Sequence, residues 1–518
     1  MLRPKRQTSR TITVTAPIGG WNSRDPLAEM KPTDAVVLDN WFCTPTELRS
    51  RKGYSDWATG IPGVVQSLLD YDAPNGTEQL FAVSNNSGTC AIYNATSQGA
   101  VGSAVVTGLT NAKWYHAQFA TSGGSFLLAV NGLDSMRIYD GTTWYTVTGV
   151  STPYAITGIA TTSLIDVHTH KRRNWFIQKE SLKCWYLDTD AISGAASMFD
   201  FGPIFEFGGS IARIDTWSLD AGYGMDDYFV VITTSGQIAV YKGTDPSNAN
   251  DWALIGVYLV GSPVGERCTC KYGGDVLLLG KDGLIPLSKA LMSSRVSTHL
   301  MITDKIQNQL AADTTTYASN YGWDILLYPP QNMLLVNIPI NATESYQYVM
   351  NTISGGWARW TNIPAQCWCF ANEDIYFGTT GKVCKAWDTY SDNGQPIVTD
   401  LLPAFSAFGS RSQIKRWTMA RVSMGYTNSF GITNQMNLDF DQSAAPSNPQ
   451  VTVIPSSGVW DQSKWDQVTW ATEIIPFARW QMATGMGHYG AFRVKTSSSA
   501  ADVRYYATDY VFEAGGVL

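Results

Sequence analysis

Two pairs of neighbouring carboxylates are the first candidates for catalysis in this sequence. They are Asp226/Asp227 and Glu373/Asp374. Hydrolysis of a glycosidic bond needs two carboxyl groups about 5–10 Å apart on either side of the substrate. Both pairs stand in turn-like contexts, and neighbours on a strand point to opposite faces. We therefore do not expect either pair to be catalytic.

A histidine pair is the second candidate. The segment HTHKRR (168–173) places His168 and His170 on one face of a strand, followed by three basic residues. The two imidazoles could bind a metal, or the whole segment could contact a phosphate. Since no third ligand is evident, a polar edge of a sheet accounts for the same residues. We expect no metal and no cofactor.

Motifs of common enzyme classes are missing from the sequence. It contains no G-x-S-x-G, no P-loop and no G-x-G-x-x-G within a βαβ context. Sialidase-type turns read S-x-D-x-G-x-x-W, and the nearest match, DGTTW at 140–144, lacks the leading Ser and the spacer. A glycine turn explains it better. The sequence predicts a protein that is not an enzyme.

The eight cysteines include two C-x-C pairs, Cys268/Cys270 and Cys367/Cys369. Zinc sites usually need C-x₂₋₄-C spacing with a second matching pair, which five scattered His do not supply. We interpret the cysteines as buried free thiols of a protein that matures in reducing cytoplasm.

The elements that carry these residues are short strands. Charged residues make up only 15% of the 518 residues, against roughly 25% in ordinary domains, while aromatics make up 12%. With 46 Gly, this composition indicates many strands joined by glycine turns. A surface with so few charges favours extensive coverage by partners, although a large β-protein can have this composition without any.

A hairpin pattern recurs along the chain, with an apolar strand, a glycine turn and a second strand that ends in Tyr, Trp or Pro. The copies are 79–93, 125–144, 228–241, 275–286 and 373–387. Such hairpins, without long helices between them, are typical of propeller blades. We predict a mainly β fold, a β-propeller of about six or seven blades over residues 61–404. A pair of β-sandwiches is the structural alternative.

Two predicted helices and a different strand pattern after residue 405 interrupt this series of hairpins. Residues 303–313 predict a helix with an acidic first turn and apolar residues at i and i+4. Residues 33–40 predict a short helix within an N-terminal segment, 1–60, and Thr33 can cap it. Residues 405–518 predict a separate C-terminal β-region, in which 441–450 is an exposed loop.

The net charge of −7 is unevenly distributed. The first ten residues hold a candidate basic arm, Arg3, Lys5, Arg6 and Arg10, so the remaining 508 carry about −11. Such an arm could contact nucleic acid or an acidic neighbour, or it could be a disordered solvated tail. We expect no membrane-spanning segment, because no apolar run approaches about 20 residues.

The N-terminal 60 residues contain a distinctive set of motifs. These are Gly20–Asp25 (GWNSRD), Met30, Pro32, Asp34, Ala35, Leu38–Phe42 (LDNWF), Leu48, Arg49 and Arg51–Tyr54 (RKGY). This set resembles the tail proteins of short-tailed bacteriophages that are called tail tubular protein B, nozzle or packaged-DNA stabilisation proteins. The resemblance is specific here and weaker further along, at 282–288 (DGLIPLS), 355–360 and 375–378.

The resemblance implies a structural virion protein of the phage tail, assembled in the host cytoplasm. Six copies would form a ring below the portal and adaptor proteins, with tail fibres or spikes as further partners. The N- and C-terminal segments would combine into a platform that builds the ring. Double-stranded DNA would be retained in the ring and would pass through its lumen during ejection, without sequence specificity.

Electrostatics is compatible with such a conduit. A duplex carries one negative charge per roughly 1.7 Å of its axis. Six acidic subunits would repel it and keep sliding fast. The channel of a single propeller is narrow, so a duplex would pass between subunits.

Four residues of the opening segment are candidates for an inter-subunit interface: Trp21, Arg24, Asp25 and Trp41. In the alternative, the two tryptophans plug the base of their own propeller. Two other functions stay open. A propeller enzyme acting on host-surface glycans would need a concave acidic pocket with two facing carboxylates, and a receptor-binding tail component would present a lectin-like outer surface.

Overall fold

The structure is a computed structural model that describes residues 9–220, 225–292, 300–444, 451–453 and 474–517. Arg3, Lys5 and Arg6 of the candidate basic arm lie outside these residues, as does most of the predicted loop 441–450. The described residues include no helix long and apolar enough to span a bilayer.

Antiparallel sheets follow one another around a ring and confirm the predicted propeller, which has seven blades within the described residues. Each blade begins with its innermost strand. Blade 1 consists of the second half of Tyr54–Asp72 with Glu78–Asn86, Thr89–Asn94 and Val106–Leu109. Blade 2 consists of Tyr115–Thr121, Gly124–Val130, Arg137–Tyr139 and Trp144–Thr146. Blade 3 consists of Leu164–His170, Arg173–Gln178, Lys183–Tyr186 and Ser197–Asp200.

Blades 4 to 7 continue in the same direction. Blade 4 consists of Ile211–Asp220, Met225–Thr233, Gln237–Lys242 and Ala253–Leu259, and blade 5 of Thr269–Tyr272, Asp275–Gly280 and Gly283–Pro286. Blade 6 consists of Asp324–Tyr328, Met333–Pro339, Ser345–Asn351 and Trp357–Trp360. Blade 7 consists of Cys367–Ala371, Asp374–Ala386 and the first half of Tyr54–Asp72. Buried apolar clusters lie between consecutive blades, so the sheets are covered on both faces.

Short elements connect the blades. The predicted helix at 303–313 is confirmed as a 3₁₀ turn followed by an α-helix. These elements are the helices Leu287–Met292 and Gln307–Tyr317, the 3₁₀ turns Thr161–Ser163, Asp304–Ile306 and Pro329–Gln331, and the strands Gly99–Ala100, Ile156–Thr157, Gly194–Ala195 and Ser391–Asp392.

A platform of two packed sheets joins the two ends of the chain, as expected. The first platform sheet consists of Arg10–Thr15, Trp41–Cys43, Leu48–Ser50, Gln413–Tyr426, Ile475–Gly487 and Val503–Val517. The second platform sheet consists of Gly20–Trp21, Asp34–Asp39, Gln395–Pro403, Phe430–Leu438, Val451–Val453 and Gly490–Ser498. One apolar core lies between them and extends into blades 5 and 6.

The short helix predicted at 33–40 is wrong, because this segment is the strand Asp34–Asp39. It pairs in parallel with Gly20–Trp21 and antiparallel with Gln395–Pro403. The β-branched Val36 and Val37 suit a strand, and long-range pairing overrides the local cap signal.

The hairpin predicted at 373–387 is also wrong. Asp374–Ala386 is one strand, whose first half pairs with Cys367–Ala371 and whose second half pairs with residues 54–59. Gly381, at φ 79°, lies where the register of this pairing shifts, so it marks a β-bulge and not the hairpin turn that was predicted. Blade 7 is thus closed by an N-terminal strand, and the strand Tyr54–Asp72 crosses the predicted boundary at residue 60.

Candidate functional site

The opening segment, residues 19–42, turns around a buried asparagine. Asn22 Oδ1 accepts from the backbone N–H groups of Arg24 and Asp25, both at 3.0 Å. Its Nδ2 donates to the carboxylates of Asp25 and Asp34, both at 2.9 Å. Arg24 bonds to Asp25 at 2.7 Å and also to Asp304, at the start of the helical region. The GWNSRD motif therefore builds an Asx turn with a network of charges.

This turn docks on the segment that starts the helical region. Lys305 Nζ donates to the carbonyl of Gly19 at 2.8 Å and to Asp34 Oδ1 at 2.9 Å. The Lys305 carbonyl accepts from the backbone N–H of Ser23 at 2.9 Å. The hydrogen bond from Arg24 is the main cause that lowers the pKa of Asp25. The carboxylate is therefore charged at neutral pH and keeps Arg24 in place.

The two tryptophans of the candidate interface are core residues of their own chain. Trp41 is 0% exposed, and its ring meets Tyr505 edge-on with centroids 6.4 Å apart. Trp21 is 7% exposed and meets Tyr348 at 5.1 Å. The structure therefore places both rings in the core of their own chain and not on a free surface. The tryptophans are interior because the segment is a strand between propeller and platform.

Arg24 and Asp25 are different, since 33% and 22% of their side chains are exposed. They stay candidates for contact with a neighbouring subunit. Arg10 also lies within the described residues. It is exposed and begins the edge strand Arg10–Thr15 of the first platform sheet.

Two ion pairs, one buried and one partly exposed, fix the platform and the opening segment to the propeller. Arg51 is fully buried, and its terminal nitrogens donate to the two oxygens of Asp392 at 2.7 and 2.6 Å. Arg359 of blade 6 makes a two-point contact with Asp39 at 2.8 and 2.7 Å. Paired in this way, arginine adds geometric specificity to the junction. Sequence reasoning included Arg51 in the family signature without recognising this role.

Charged and aromatic side chains from five blades meet around the propeller axis. The guanidinium groups of Arg213 and Arg267 lie 5.6 and 5.5 Å from the centre of the Tyr115 ring. Arg213 bonds to Asp166 at 2.8 Å, and Arg267 lies 3.6 Å from Asp324. Burial raises the pKa of each of these carboxyl groups to about 6, against the opposing effect of the arginine. These contacts connect blades 2 to 6 across the propeller's own channel.

A cavity of about 480 Å³ lies at one mouth of this channel, lined by residues of blades 2 to 4 and the loops beside them. Three carboxylates line it, those of Asp166, Glu180 and Glu266, and two of them bond to neighbouring side chains. Asp166 is held by Arg213, and Glu266 accepts a hydrogen bond from the Tyr115 hydroxyl at 2.6 Å. The arrangement differs from the two facing carboxylates that a glycoside hydrolase needs.

Asp226 and Asp227 point to opposite faces of their strand, as expected for neighbours. Asp226 pairs with Lys242 at 2.7 Å, whereas Asp227 accepts from Ser218 on the other face of the strand at 2.5 Å. Asp374 pairs with Lys385 at 2.6 Å. Neither pair forms a joint site.

The two histidines do lie on one face of their strand. His168 Nε2 and His170 Nδ1 are each 2.9 Å from Thr216 Oγ1. Burial lowers the pKa of His168 to about 4 and that of His170 to about 3. Both rings are therefore neutral at physiological pH. Among the described residues, no group of three or more His, Cys, Asp or Glu is placed to hold a metal ion.

The eight cysteines are free, and all but the half-buried Cys270 are buried. Burial raises the pKa of Cys43, Cys268, Cys367 and Cys384 to about 12. The prediction of buried free thiols is confirmed for seven of the eight.

Sequence reasoning missed an apolar surface on the first platform sheet. Met482 and Met486 of the strand Ile475–Gly487 are 80% and 71% exposed, and Trp480 and Met419 are exposed beside them. The signal was present in RWQMATGMG (479–487), where large apolar residues alternate with small or polar ones. Contiguous exposed apolar surface of this kind marks interaction sites.

No protein-family model and no curated protein matches the chain. Solved structures similar to it include BBS1N in complex with ARL6DN, soaked with lead, at 12% identity over 65% of this chain and 96% of that chain, with a TM-score of 0.39. The same complex soaked with mercury gives 11% identity, equal coverage and a TM-score of 0.37. The β-propeller domain of Myceliophteria thermophila Cps50 (Swd1) is 12% identical over 65% of this chain and 100% of that chain, with a TM-score of 0.39. Similarity this low carries no functional argument, and the propeller assignment here follows from strand topology.

Proposed function

We propose that this chain is a structural subunit of the tail of a short-tailed bacteriophage. Six copies form a ring below the portal and adaptor proteins and extend the DNA conduit of the virion. The observation that carries the proposal is the platform, in which both ends of the chain combine and present an exposed Met- and Trp-rich face. Such a face suits a subunit that is completed by its neighbours.

The opening segment supports the same proposal. The residues that resemble the phage family build the junction between platform and propeller, through the Asx turn at Asn22, the buried pair of Arg51 with Asp392 and the partly exposed pair of Asp39 with Arg359. A subunit that transmits contacts around a ring needs a rigid junction of this kind. The resemblance therefore falls on residues with a structural task that fits the family.

The side chains that meet across the propeller channel support a DNA path between subunits. Arg213 and Arg267 both contact the Tyr115 ring from other blades, which leaves no room for a duplex through a single propeller. Each subunit carries a net charge of −7, and a ring of six is strongly acidic. Phosphates are repelled by such a ring, which retains DNA mechanically and lets it slide during ejection without sequence preference.

Electron microscopy and native mass spectrometry test the proposal. The purified chain is measured alone and after mixing with a portal–adaptor complex. We expect sixfold rings in at least one of the two samples, positioned below the adaptor in the second. A chain that stays monomeric in both and never joins the complex would refute the proposed function.

A further inference from the structure

Within the part of the chain that the structure describes, two strands of the first platform sheet have an unpaired edge. The sheet runs in the order Ile475–Gly487, Gln413–Tyr426, Val503–Val517 and Arg10–Thr15. Among the described residues, Ile475–Gly487 pairs only with Gln413–Tyr426, and Arg10–Thr15 pairs only with Val503–Val517. Each edge therefore presents backbone N–H and C=O groups that another strand can pair with.

The directions of the two edge strands are complementary. All three pairings between them are antiparallel, so Ile475–Gly487 and Arg10–Thr15 run in opposite directions. A second copy placed beside the first, with its sheet in the same orientation, brings its Arg10–Thr15 antiparallel to the first copy's Ile475–Gly487. The sheet can then continue from copy to copy.

Charged side chains flank both edges of the sheet. Arg416 and Arg479 are exposed on the two strands at the Ile475–Gly487 side. At the opposite side, the exposed Arg10 begins the edge strand, and Asp509 accepts from Thr13 at 2.5 Å and from Arg421 of the same sheet at 2.8 Å. Charge therefore does not distinguish the two sides, and the inference is carried by the strand directions and by the exposed apolar face beside Ile475–Gly487.

We propose that copies of this chain join head to tail through these two edges, with Ile475–Gly487 of one copy paired antiparallel with Arg10–Thr15 of the next. The neighbour covers Met482, Met486 and Trp480 on the outer face. A head-to-tail contact joins two different surfaces and closes into a ring when the rotation per copy divides a full turn. This inference specifies the contact between neighbouring subunits and therefore rests on the proposed ring.

Matched charge variants test which surface joins the copies. Met482→Lys with Met486→Lys places two charges on the platform face. The control, Ile255→Lys with Leu259→Lys, places two charges on the outermost strand of blade 4, where these residues are 52% and 58% exposed. Native mass spectrometry compares both variants with the wild type, alone and with the portal–adaptor complex.

We expect the platform variant to be monomeric and the blade 4 variant to form rings like the wild type. Rings of the platform variant, or loss of rings only in the blade 4 variant, would overturn the inference and leave the proposed ring intact. A wild type that never forms rings would instead refute the proposed function. Native circular dichroism and the unfolding midpoint show that each variant is folded.

Disulfide cross-linking tests the pairing itself. Thr13→Cys is combined with Ala478→Cys or with Thr484→Cys, and the native cysteines, free and mostly buried, give a low background. Mild oxidation of at least one double variant should give a ladder of covalent oligomers, while each single variant should stay monomeric on a denaturing gel. Dimers from Thr484→Cys alone would indicate twofold pairing of identical edges and overturn the inference. No cross-link in either double variant would also overturn it.

Discussion

Replacement of Arg51 by methionine should be among the most destabilising single changes at the platform–propeller junction. All five N–H donors of Arg51 are used. They bond to Asn40 Oδ1 at 2.8 Å, the Lys52 carbonyl at 3.1 Å, the Thr361 carbonyl at 2.8 Å and both oxygens of Asp392 at 2.7 and 2.6 Å. Methionine keeps the length of the stem and removes every donor.

The magnitude follows from what stays behind. Asp392 has only 5% of its side chain exposed, so the variant leaves an uncompensated charge in the interior, which costs about 3–5 kcal/mol. Two carbonyl acceptors also lose a donor, at about 1–3 kcal/mol each where water does not replace it. We expect a loss of about 5 kcal/mol, a large part of the 5–15 kcal/mol typical of folded domains.

Urea denaturation followed by tryptophan fluorescence measures this loss. The control is Arg411→Met, which breaks a pair with Glu29 in which both side chains are more than half exposed, and it should leave the midpoint unchanged. Adding Asp392→Leu to Arg51→Met should restore stability, because the buried unpaired carboxylate is then gone. An Arg51→Met midpoint equal to that of Arg411→Met, or a further loss in the double variant, would refute this reasoning.

Three further predictions concern the backbone, the histidines and the thiols. Gly20→Ala should destabilise the chain more than Gly88→Ala. Both glycines have a positive φ, but only at Gly20 would a Cβ meet backbone, 2.4 Å from the Trp357 nitrogen. The melting temperatures of the two variants test this difference. Burial lowers the pKa of His168 from 6.5 to about 4 and that of His170 to about 3. Below pH 6.5 the unfolded chain therefore binds protons at these histidines that the folded chain excludes, and the free energy of unfolding falls as the pH drops from 6.5 to 4. Replacing both by Gln should make the chain less acid-sensitive than the wild type in urea titrations at pH 7 and 4.5. A thiol reagent at pH 8 should modify at most about one cysteine in the native chain and all eight in urea, since burial keeps the thiols protonated and covered; rapid labelling of several native thiols would contradict their burial.

Local sequence patterns predicted the repeated parts of the fold. The hairpins at 79–93 and 228–241 are formed as predicted, because each contains both strands and the glycine turn between them. The helix that follows Thr303 was also predictable, although the Thr303 hydroxyl accepts a hydrogen bond from the backbone N–H of Leu284 and does not cap the helix. Signals within about 15 residues were sufficient for these elements.

Long-range pairing decided the remaining elements. Nothing within residues 33–40 shows that Gln395–Pro403 will pair with them, and without that partner the capped helix is a reasonable prediction. The same holds for Asp374–Ala386, whose second half needs residues 54–59. Trp21 and Trp41 were placed at an interface because composition does not distinguish aromatic residues that face a neighbour from those that face the chain's own core.

The strand that closes blade 7 connects the first platform sheet directly to the propeller. Residues 54–59 complete the blade, Arg51 lies three residues before them, and the strand Leu48–Ser50 belongs to the first platform sheet. Within a dozen residues the chain therefore passes from the platform through a fully buried ion pair into the propeller ring. Displacing the platform would strain this pair and the closing strand together, so the platform cannot swing freely on its propeller. In the proposed ring, contacts at the platform would thus fix the orientation of every propeller around the conduit.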